Sequence, residues 1–486
     1  MAHVDPRAAP AADFAERSAL ALENAFLRRA VRFTVDRLRN GKQASAEAHG
    51  DFEALRERGR AIRAHTIAHL DRYLDQFVDN LEAAGGVAHF AADAAEAAEL
   101  CASIAQGCGA KLAVKSKSMV SEEIELNQRL EKAGVAAVET DLGEWIVQLA
   151  GEAPAHIILP CIHKSRGEIR ALFERHGNTT LDEATATLAG YARRTLRARF
   201  LEADLGFSGC NFAVADTGAI AMFTNEGNGR LVTTLPRVHV VLMGMERIVP
   251  SLAELAVMAE LLPRSATGQK LTTYLNLIAG PRRTGELDGP RELHVVIVDN
   301  GRSAQLSDPR FREILHCIRC GACLNVCPVY RQVGGHAYGS VYPGPIGAVL
   351  GPLFHPEREL SNELSQASSL CGACTDACPV KIPIHEMLVS LRERDAARRP
   401  RAERLALEFA ANVLSSPESY ERAGRALRFL QRATIGDGSR MTWLGRRVPF
   451  AGAWLSTRRL PAPPARSFRE LWPALEREAA LGNPPG

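Results

Sequence analysis

Seven of the eleven cysteines lie between Cys317 and Cys378, and their spacing is the most chemically specific feature of the chain. The first run reads Cys317-Ile-Arg-Cys320-Gly-Ala-Cys323-Leu-Asn-Val-Cys327-Pro328. It matches the C-x2-C-x2-C-x3-C-P spacing of bacterial two-cluster ferredoxins at every defined position. Three-residue steps let one tight loop offer three thiolates to three iron corners of a cube. Gly321 permits the close backbone approach this requires, and backbone N–H groups then point at the cluster sulfurs and tune the potential. The second run, Ser368-Ser-Leu-Cys371-Gly-Ala-Cys374-Thr-Asp-Ala-Cys378-Pro379, aligns with the first through its closing Cys-Pro but leads with serine. In paired runs the fourth cysteine of each ligates the cluster of the other. Cys317, Cys320, Cys323 and Cys378 are therefore expected to hold one complete 4Fe–4S cluster, and Cys327, Cys371 and Cys374 a second that lacks a fourth thiolate. Three states stay open at that corner: Ser368 as an alkoxide ligand, a solvent-ligated iron, or a 3Fe–4S core. A 4Fe–4S cube with an unusual fourth corner is preferred, because the loop is otherwise built for a cube.

Zinc is the competing reading, since paired C-x2-C or C-x3-C thiolates also make structural tetrahedral sites. Seven cysteines divide badly among four-thiolate sites, and two matching Cys-Pro endings favour cross-ligated cubes. The clustering also argues against a disulfide framework and for cofactor chemistry in a reducing compartment. His316, His336, His355 and His385 lie close in sequence and are read as structural. Cys101, Cys108, Cys161 and Cys210 lie outside the runs and are read as small core hydrophobes.

The 486 residues exceed what one core usually organises, so several folded units are expected. A formal charge of +3 spread over that length gives no footprint for nucleic acid. Locally the balance differs. From Leu391 to Gly486 there are 18 arginines, no lysine and 10 acidic residues. Such a tail is either a solvated helical surface or a dock for an acidic partner or an anionic membrane face. No apolar run reaches the ~18 residues that would span a bilayer, and Met1 to Ala12 lacks the apolar core of a secretory signal and reads as a frayed end. A cytoplasmic location is expected by default.

Phe14 to Ala84 carries apolar residues such as Leu55, Ile62, Ile67, Leu70, Leu74 and Phe77 at helical steps, and Gly85-Gly86 closes that segment. From Val87 to Gly301, helical stretches alternate with β-rich runs: Lys111–Val114, Ala136–Glu139, His156–Pro160, Asn211–Ala215, Ala219–Thr224, Val238–Met243 and Leu293–Val298. This pattern predicts an α/β fold with a largely parallel, buried sheet. Gly280 to Gly289 reads as a loop, and Asn225 to Gly229 as a turn between strands. Helical periodicity resumes at Arg401–Gln431, a Pro-rich stretch follows at Pro461–Pro464, and a last helix is expected over Phe468–Ala480.

Polar residues crowd the expected strand ends: Lys115-Ser116-Lys117-Ser118, Glu139 with Asp141, His163-Lys164, Asp216-Thr217-Gly218 and Asn225 to Arg230. Ligands of open α/β sheets bind beyond the carboxyl ends of strands, so a small-molecule pocket there competes with plain turn chemistry and helix capping.

The stretches KSKSMVSEEIELN, VETDLGEWI, HIILPCIHKSRGEI, ADTGAIAMFTNEGNGR and GPRELHVVIVDNGRS, followed by CIRCGACLNVCPVYR and SLCGACTDACPVKIPIHEML, together resemble the iron–sulfur protein B family of lactate-utilisation operons. The resemblance runs from about Phe14 to the C-terminus and is least distinctive after Arg401. It implies an N-terminal helical segment (1–84), an α/β LUD domain (85–303) similar to sugar-phosphate isomerase and coenzyme A transferase folds, a helical two-cluster ferredoxin-type domain (304–395) and a basic C-terminal helical extension (396–486). It also implies two partner subunits, one cysteine-rich and one mostly LUD domain, that together with this chain oxidise L-lactate to pyruvate. The serine at 368 agrees with the family's three-plus-four cysteine count. No G-x-G-x-x-G fingerprint accompanies it, so electron relay is the expected role. The alternative is a hydroxy-acid site in the α/β domain itself, built on Lys115, Lys117 and His163. A redox sensor with a labile cluster is a third reading, and no DNA-binding segment supports it.

Overall fold

The computed structural model describes residues 13–355, 363–398, 401–435, 464 and 466–480. Two compact units are present, Met1–Arg394 and Asp395–Gly486. The expected frayed end, Met1 to Ala12, and all but Pro464 of the Pro-rich stretch lie outside the described residues.

The first unit opens with four helices, α1 (Phe14–Glu23), α2 (Ala25–His49), α3 (Phe52–Ala68) and α4 (Leu70–Ala83). Asp13, Asn24 and Asp51 cap the first three through side-chain oxygens that accept from backbone N–H groups, the usual answer to the unpaired donors of a first turn. The predicted stop at Gly85-Gly86 is a Schellman-type end, with Gly85 at φ +91° and Gly86 N–H donating to Leu81 O at 2.9 Å.

The strands are β1 (Val87–Ala91), β2 (Leu112–Lys115), β3 (Ala136–Glu139), β4 (Leu205–Gly209), β5 (Phe212–Val214), β6 (Ala219–Thr224), β7 (Val238–Gly244), β8 (Ile248–Val249), β9 (Tyr274–Ile278) and β10 (Glu292–Val298). Six of them form a parallel sheet in the order β1-β10-β7-β4-β2-β3, and four a mixed sheet in the order β8-β5-β6-β9. The expected α/β class holds, and the central strands β7 and β10 carry apolar runs, Val240–Met243 and Val295–Val298, as a sheet covered on both faces requires. Two expectations need correction. His156–Pro160 is not a strand: Ile158 and Leu159 donate their N–H groups to His156 Nδ1 at 3.0 and 3.3 Å, so a side chain takes the place of a neighbouring strand. Asn225–Gly229 does not simply join two strands, since the chain turns there into a short helix, Asn228–Thr234, before β7.

One face of the parallel sheet is covered by Ala97, Cys101, Leu126 and Leu130 packed on Phe207, Val240 and Val296. The other joins a continuous core that holds Phe77 of α4, Val241, Ile297, Cys320, Leu350 and Leu388. The cysteine region therefore shares its apolar interior with the sheet and the entry helices. Between the two cysteine runs lies a helix, Gly344–Phe354, with every residue buried. It packs against the 3-10 turn Leu364–Gln366 and the helix Ile384–Arg394. A buried ion-pair hub adds to this join. Arg302 donates to Glu123 at 2.9 and 3.0 Å and to Glu246 at 2.6 Å, and Tyr342 of the cysteine region donates to Glu123 at 2.7 Å.

The second unit holds helices Arg401–Leu414, Pro417–Ile435 and Phe468–Ala480, the last as expected from the sequence. Arg428 pairs with Glu470 at 3.3 Å, and Leu405, Phe409, Phe429 and Phe468 are exposed. No helix among the described residues is long and apolar enough to cross a membrane.

Candidate metal centre

The two cysteine loops follow one backbone path. In the first, Cys317 closes a 3-10 turn (Arg312–His316), Arg319 takes φ +58°, Gly321 takes φ +73°, and a single-turn helix, Ala322–Val326, delivers Cys327 in an extended conformation at φ −75°. In the second, Ser368 follows a 3-10 turn, Leu370 takes φ +54°, Gly372 takes φ +80°, and Ala373–Ala377 delivers Cys378 at φ −69°. The left-handed residue between the first two ligand positions is non-glycine in both loops, a strain that persists only when its surroundings impose it. The two short helices pack against each other.

This correspondence extends to the position that differs. Arg319 N–H donates to Cys317 Sγ at 3.4 Å, and Leu370 N–H donates to Ser368 Oγ at 3.1 Å. Serine thus presents its oxygen where the first loop presents its leading sulfur. Tyr330 N–H points at Cys327 Sγ at 3.5 Å, the kind of donor that tunes a cluster from outside its ligand shell.

The thiols influence one another in two sets. Burial pushes Cys320 up to about 12, with Cys378 and Cys317 adding to the shift. Burial also raises Cys323, reinforced by Cys320, Cys317 and Cys378 and, from the other set, by Cys374 as the smallest contribution. In the other set, burial raises Cys327 with help from Cys371, and pushes Cys374 up to about 11 with help from Cys327 and Cys371. Each closing cysteine therefore stands among the thiols of the opposite loop. Neutral thiols crowded in this way lose their protons only in exchange for metal. Among the described residues no three His, Cys, Asp or Glu side chains converge on a point suited to a single ion. A cube takes its thiolates on separate irons, so the donor set, its grouping and the paired loops fit a cluster.

The first set is ringed by cations. Lys42 of α2 donates to Ala377 O and, although burial lowers its ammonium, Cys320, Cys378 and Cys323 draw it back up. Arg56 of α3 donates to Asp376 O and Cys378 O, both at 2.8 Å, and Arg247 donates to Cys317 O at 2.8 Å. The second set opens outward: Cys371 is exposed and Ser368 partly so. Three of the four nearby histidines have local partners, and the fourth, His316, has a buried Nδ1 with none. Burial pushes His316 down to about 3. His336 bonds Ala153 O at 2.7 Å, His385 bonds Thr375 Oγ1 at 2.8 Å, and the His355 N–H caps its helix. Of the remaining cysteines, Cys101 is buried in the sheet core and Cys108 and Cys161 are partly buried.

A second feature lies beyond the carboxyl ends of β2, β3, β4 and β7, where a cavity of about 400 Å³ is lined by Ser116, Lys117, Ser118, Asp141, Asn225, Glu226 and Asn228, all from the stretches the sequence pointed to. Other residues from those stretches are elsewhere. Lys115 is buried in a pair with Glu139 at 2.5 Å and Asn127 at 2.6 Å. His163 pairs with Glu152 at 2.7 Å, and Lys164 with the same carboxylate. Gly218 turns at φ +66° tightly against the backbone of α4. The sequence reading missed Cys210, Asn211, Arg247 and Arg319 as lining residues. Arg319 alone carried a signal, its place inside the first cysteine run.

Comparison with known proteins agrees with this layout. Residues 74–298 match the LUD domain family, residues 313–382 the 4Fe-4S dicluster domain, and residues 381–476 the C-terminal domain of lactate utilisation protein B. Lactate utilization protein B of Shouchella clausii is 46% identical over 472 residues, covering 96% of this chain and 98% of its own length. That of Exiguobacterium sp. is 46% identical, covering 94% and 96%, and that of Bacillus subtilis 45% identical, covering 94% and 95%. A crystal structure of a DUF162 family protein from Deinococcus radiodurans aligns with 47% of this chain and 98% of its own at 17% identity and a TM-score of 0.27. Matched almost end to end by such relatives, and carrying a dicluster segment across its paired cysteine loops, the chain belongs to the lactate utilization protein B family, as an iron–sulfur protein of lactate utilization.

Proposed function

We propose that the chain is the electron-relay subunit of a multi-subunit system that oxidises L-lactate to pyruvate, its partners being a cysteine-rich protein and a second LUD-domain protein. In this reading residues 85–303 form the LUD domain, 304–395 the two-cluster domain and 396–486 a basic extension suited to docking. Cys317, Cys320, Cys323 and Cys378 hold one 4Fe–4S cluster, and Cys327, Cys371 and Cys374 hold a second whose fourth corner faces Ser368 or solvent. Clusters bound there supply one-electron acceptance and release. What supports the reading is that the thiols act on one another across the loops: Cys378 adds to the upward shift of Cys320 and Cys323, and Cys371 to that of Cys327.

The protein's own residues set the conditions for relay. Lys42, Arg56 and Arg247 place positive charge and donated protons around the first set, which favours the more negative, reduced state of a cluster there. Tyr330 N–H and the packed single-turn helices hold the second set in register with it. The burial of Cys320, Cys323 and Cys378 leaves little polar rearrangement to accompany electron movement at the first set.

The test is anaerobic purification with iron and sulfide counts and electron paramagnetic resonance. Two distinct signals are expected, with iron matching two clusters. A colourless chain with stoichiometric zinc and no iron would overturn the proposal, as would oxidation of lactate by the loaded chain alone at the rate of the full three-protein mixture.

A further inference from the structure

The cavity at the strand ends is charged in a way that the cluster loops do not require. Three cations reach it: Lys117 from the segment after β2, Arg247 from the segment after β7, and Arg319 from inside the first cysteine loop. Two of them keep unused donors. Lys117 Nζ and Arg319 Nη1 are buried without a hydrogen-bond acceptor, and so is Ser116 Oγ on the same wall. Lys117 stands 3.7 Å from Glu144, a carboxyl that burial pushes up to about 8, so at neutral pH that neighbour leaves the lysine charge largely uncompensated.

The acidic groups on the walls do not cancel this charge. Asp141 caps a helix, accepting from Gly143 and Glu144 N–H at 3.0 and 3.1 Å. Glu246 is taken up by Arg302 at 2.6 Å and by Arg319 Nη2 at 3.4 Å. Glu226 is exposed, so solvent screens its pull on the cations. Unsatisfied buried donors are costly, and two cationic ones on residues that line the same cavity call for an anion with at least two acceptor oxygens. The rest of the wall divides between neutral polar side chains such as Asn211, Thr224 and Thr267 and an apolar half, Met222, Phe223, Ile157 and Leu262. That half suits a carbon body better than a hydrated inorganic ion.

We propose that this cavity binds an organic carboxylate of the 2-hydroxy or 2-oxo acid class, its carboxylate clamped between Lys117 and Arg319 and its body lying on Met222, Phe223 and Leu262. The proposal deepens the lactate-utilisation reading and rests on it for the substrate class. It places the ligand against the peptide that carries Cys317 and Cys320, because Arg319 lies between those cysteines and Arg247 donates to Cys317 O. It keeps Lys117 and replaces Lys115 and His163, which are paired elsewhere, with Arg319.

The experiment is calorimetric titration of the anaerobically purified chain with L-lactate, with the longer 2-hydroxy-4-methylpentanoate and with inorganic phosphate, iron content being measured on each sample. Saturable binding of a carboxylate is expected, weakened roughly tenfold or more by Lys117→Gln and by Arg319→Gln, with iron in Lys117→Gln unchanged. Arg319→Gln sits in a cluster loop, so Lys117→Gln outside that loop keeps the outcome decisive if the first variant loads poorly. Binding of phosphate alone, no binding by wild type, or carboxylate binding indifferent to Lys117→Gln would each overturn the proposal. Wild type that binds carboxylate but holds no iron would instead overturn the relay reading and leave the cavity's role standing.

Discussion

The two cysteine loops share a backbone and differ in surroundings. The first is enclosed by α2, α3 and the strand ends, with Lys42, Arg56 and Arg247 donating to its peptides or to those of the partner loop. The second leads with serine, and Cys371 reaches the surface. Loop geometry is therefore a template that fixes where ligands point, whereas burial and charge decide how each site behaves. A cluster surrounded by cations is stabilised when reduced, and one open at its edge is reachable by a partner.

The comparison breaks most visibly if the exchange of closing cysteines is wrong. Cys378→Ser, in the second loop, is expected to remove the first cluster's signal and its iron while leaving the second's. Loss of the second signal instead, read by paramagnetic resonance and iron counts, would show that each loop serves itself. Next in size, Arg302→Leu strands Glu123 and Glu246 without their shared cation and is expected to destabilise the first unit by roughly 3–5 kcal/mol, measured by chemical denaturation. The first cluster should be lost before the second as denaturant rises, because the hub holds Arg319 through Glu246.

The same hub predicts an acid response. Burial alone would raise Glu123, but Arg302, Asn300 and Tyr342 overcome it and hold the carboxyl down at about 2. Its folded pKa lies below the unfolded value of about 4.3, so its contribution is fully present above that value and is lost as pH falls toward 2. Glu123→Gln should flatten this part of the stability profile between pH 5 and 2, and a profile that keeps its slope would remove Glu123 from the account. Ser368→Cys sharpens the contrast by giving the second loop a fourth thiolate, and the expected result is a cluster that loses iron to chelator more slowly than wild type. The smallest effect belongs to Lys42→Met, which should lower the first cluster's midpoint potential and leave the second's unchanged in a redox titration.

Much of this architecture is written locally. The strands over Ala136–Glu139 and Ala219–Thr224 were legible to the residue, and β7 nearly so, because β-branched and apolar runs bounded by turns leave few other solutions. The strand β4 was missed since Leu-Gly-Phe-Ser-Gly reads as a turn. Its Gly206 is needed because Val232 O would stand 2.1 Å from any Cβ there, a demand made by a helix distant in sequence. His156–Pro160 misled in the opposite direction, as its apolar side chains serve the cavity wall and the packing under Gly321 rather than a sheet. At the strand ends, the charge on Lys115 and His163 was visible while the carboxylates that pair with them, Glu139 and Glu152, were not recognisable as partners. Arg247 reaches the cavity from an ordinary turn, and only tertiary placement brings it there.

The helix Gly344–Phe354 has no face left for water, and although Ala322–Val326 and His336–Tyr338 pack on it from earlier in the chain, much of its cover, Leu364–Gln366 and Ile384–Arg394, comes later. A ribosome that has just released Phe354 has therefore exposed an oily rod with part of its cover still to come. The window closes only after the second cysteine loop has emerged, which ties protection from aggregation to the moment at which all seven thiols first become available for metal loading.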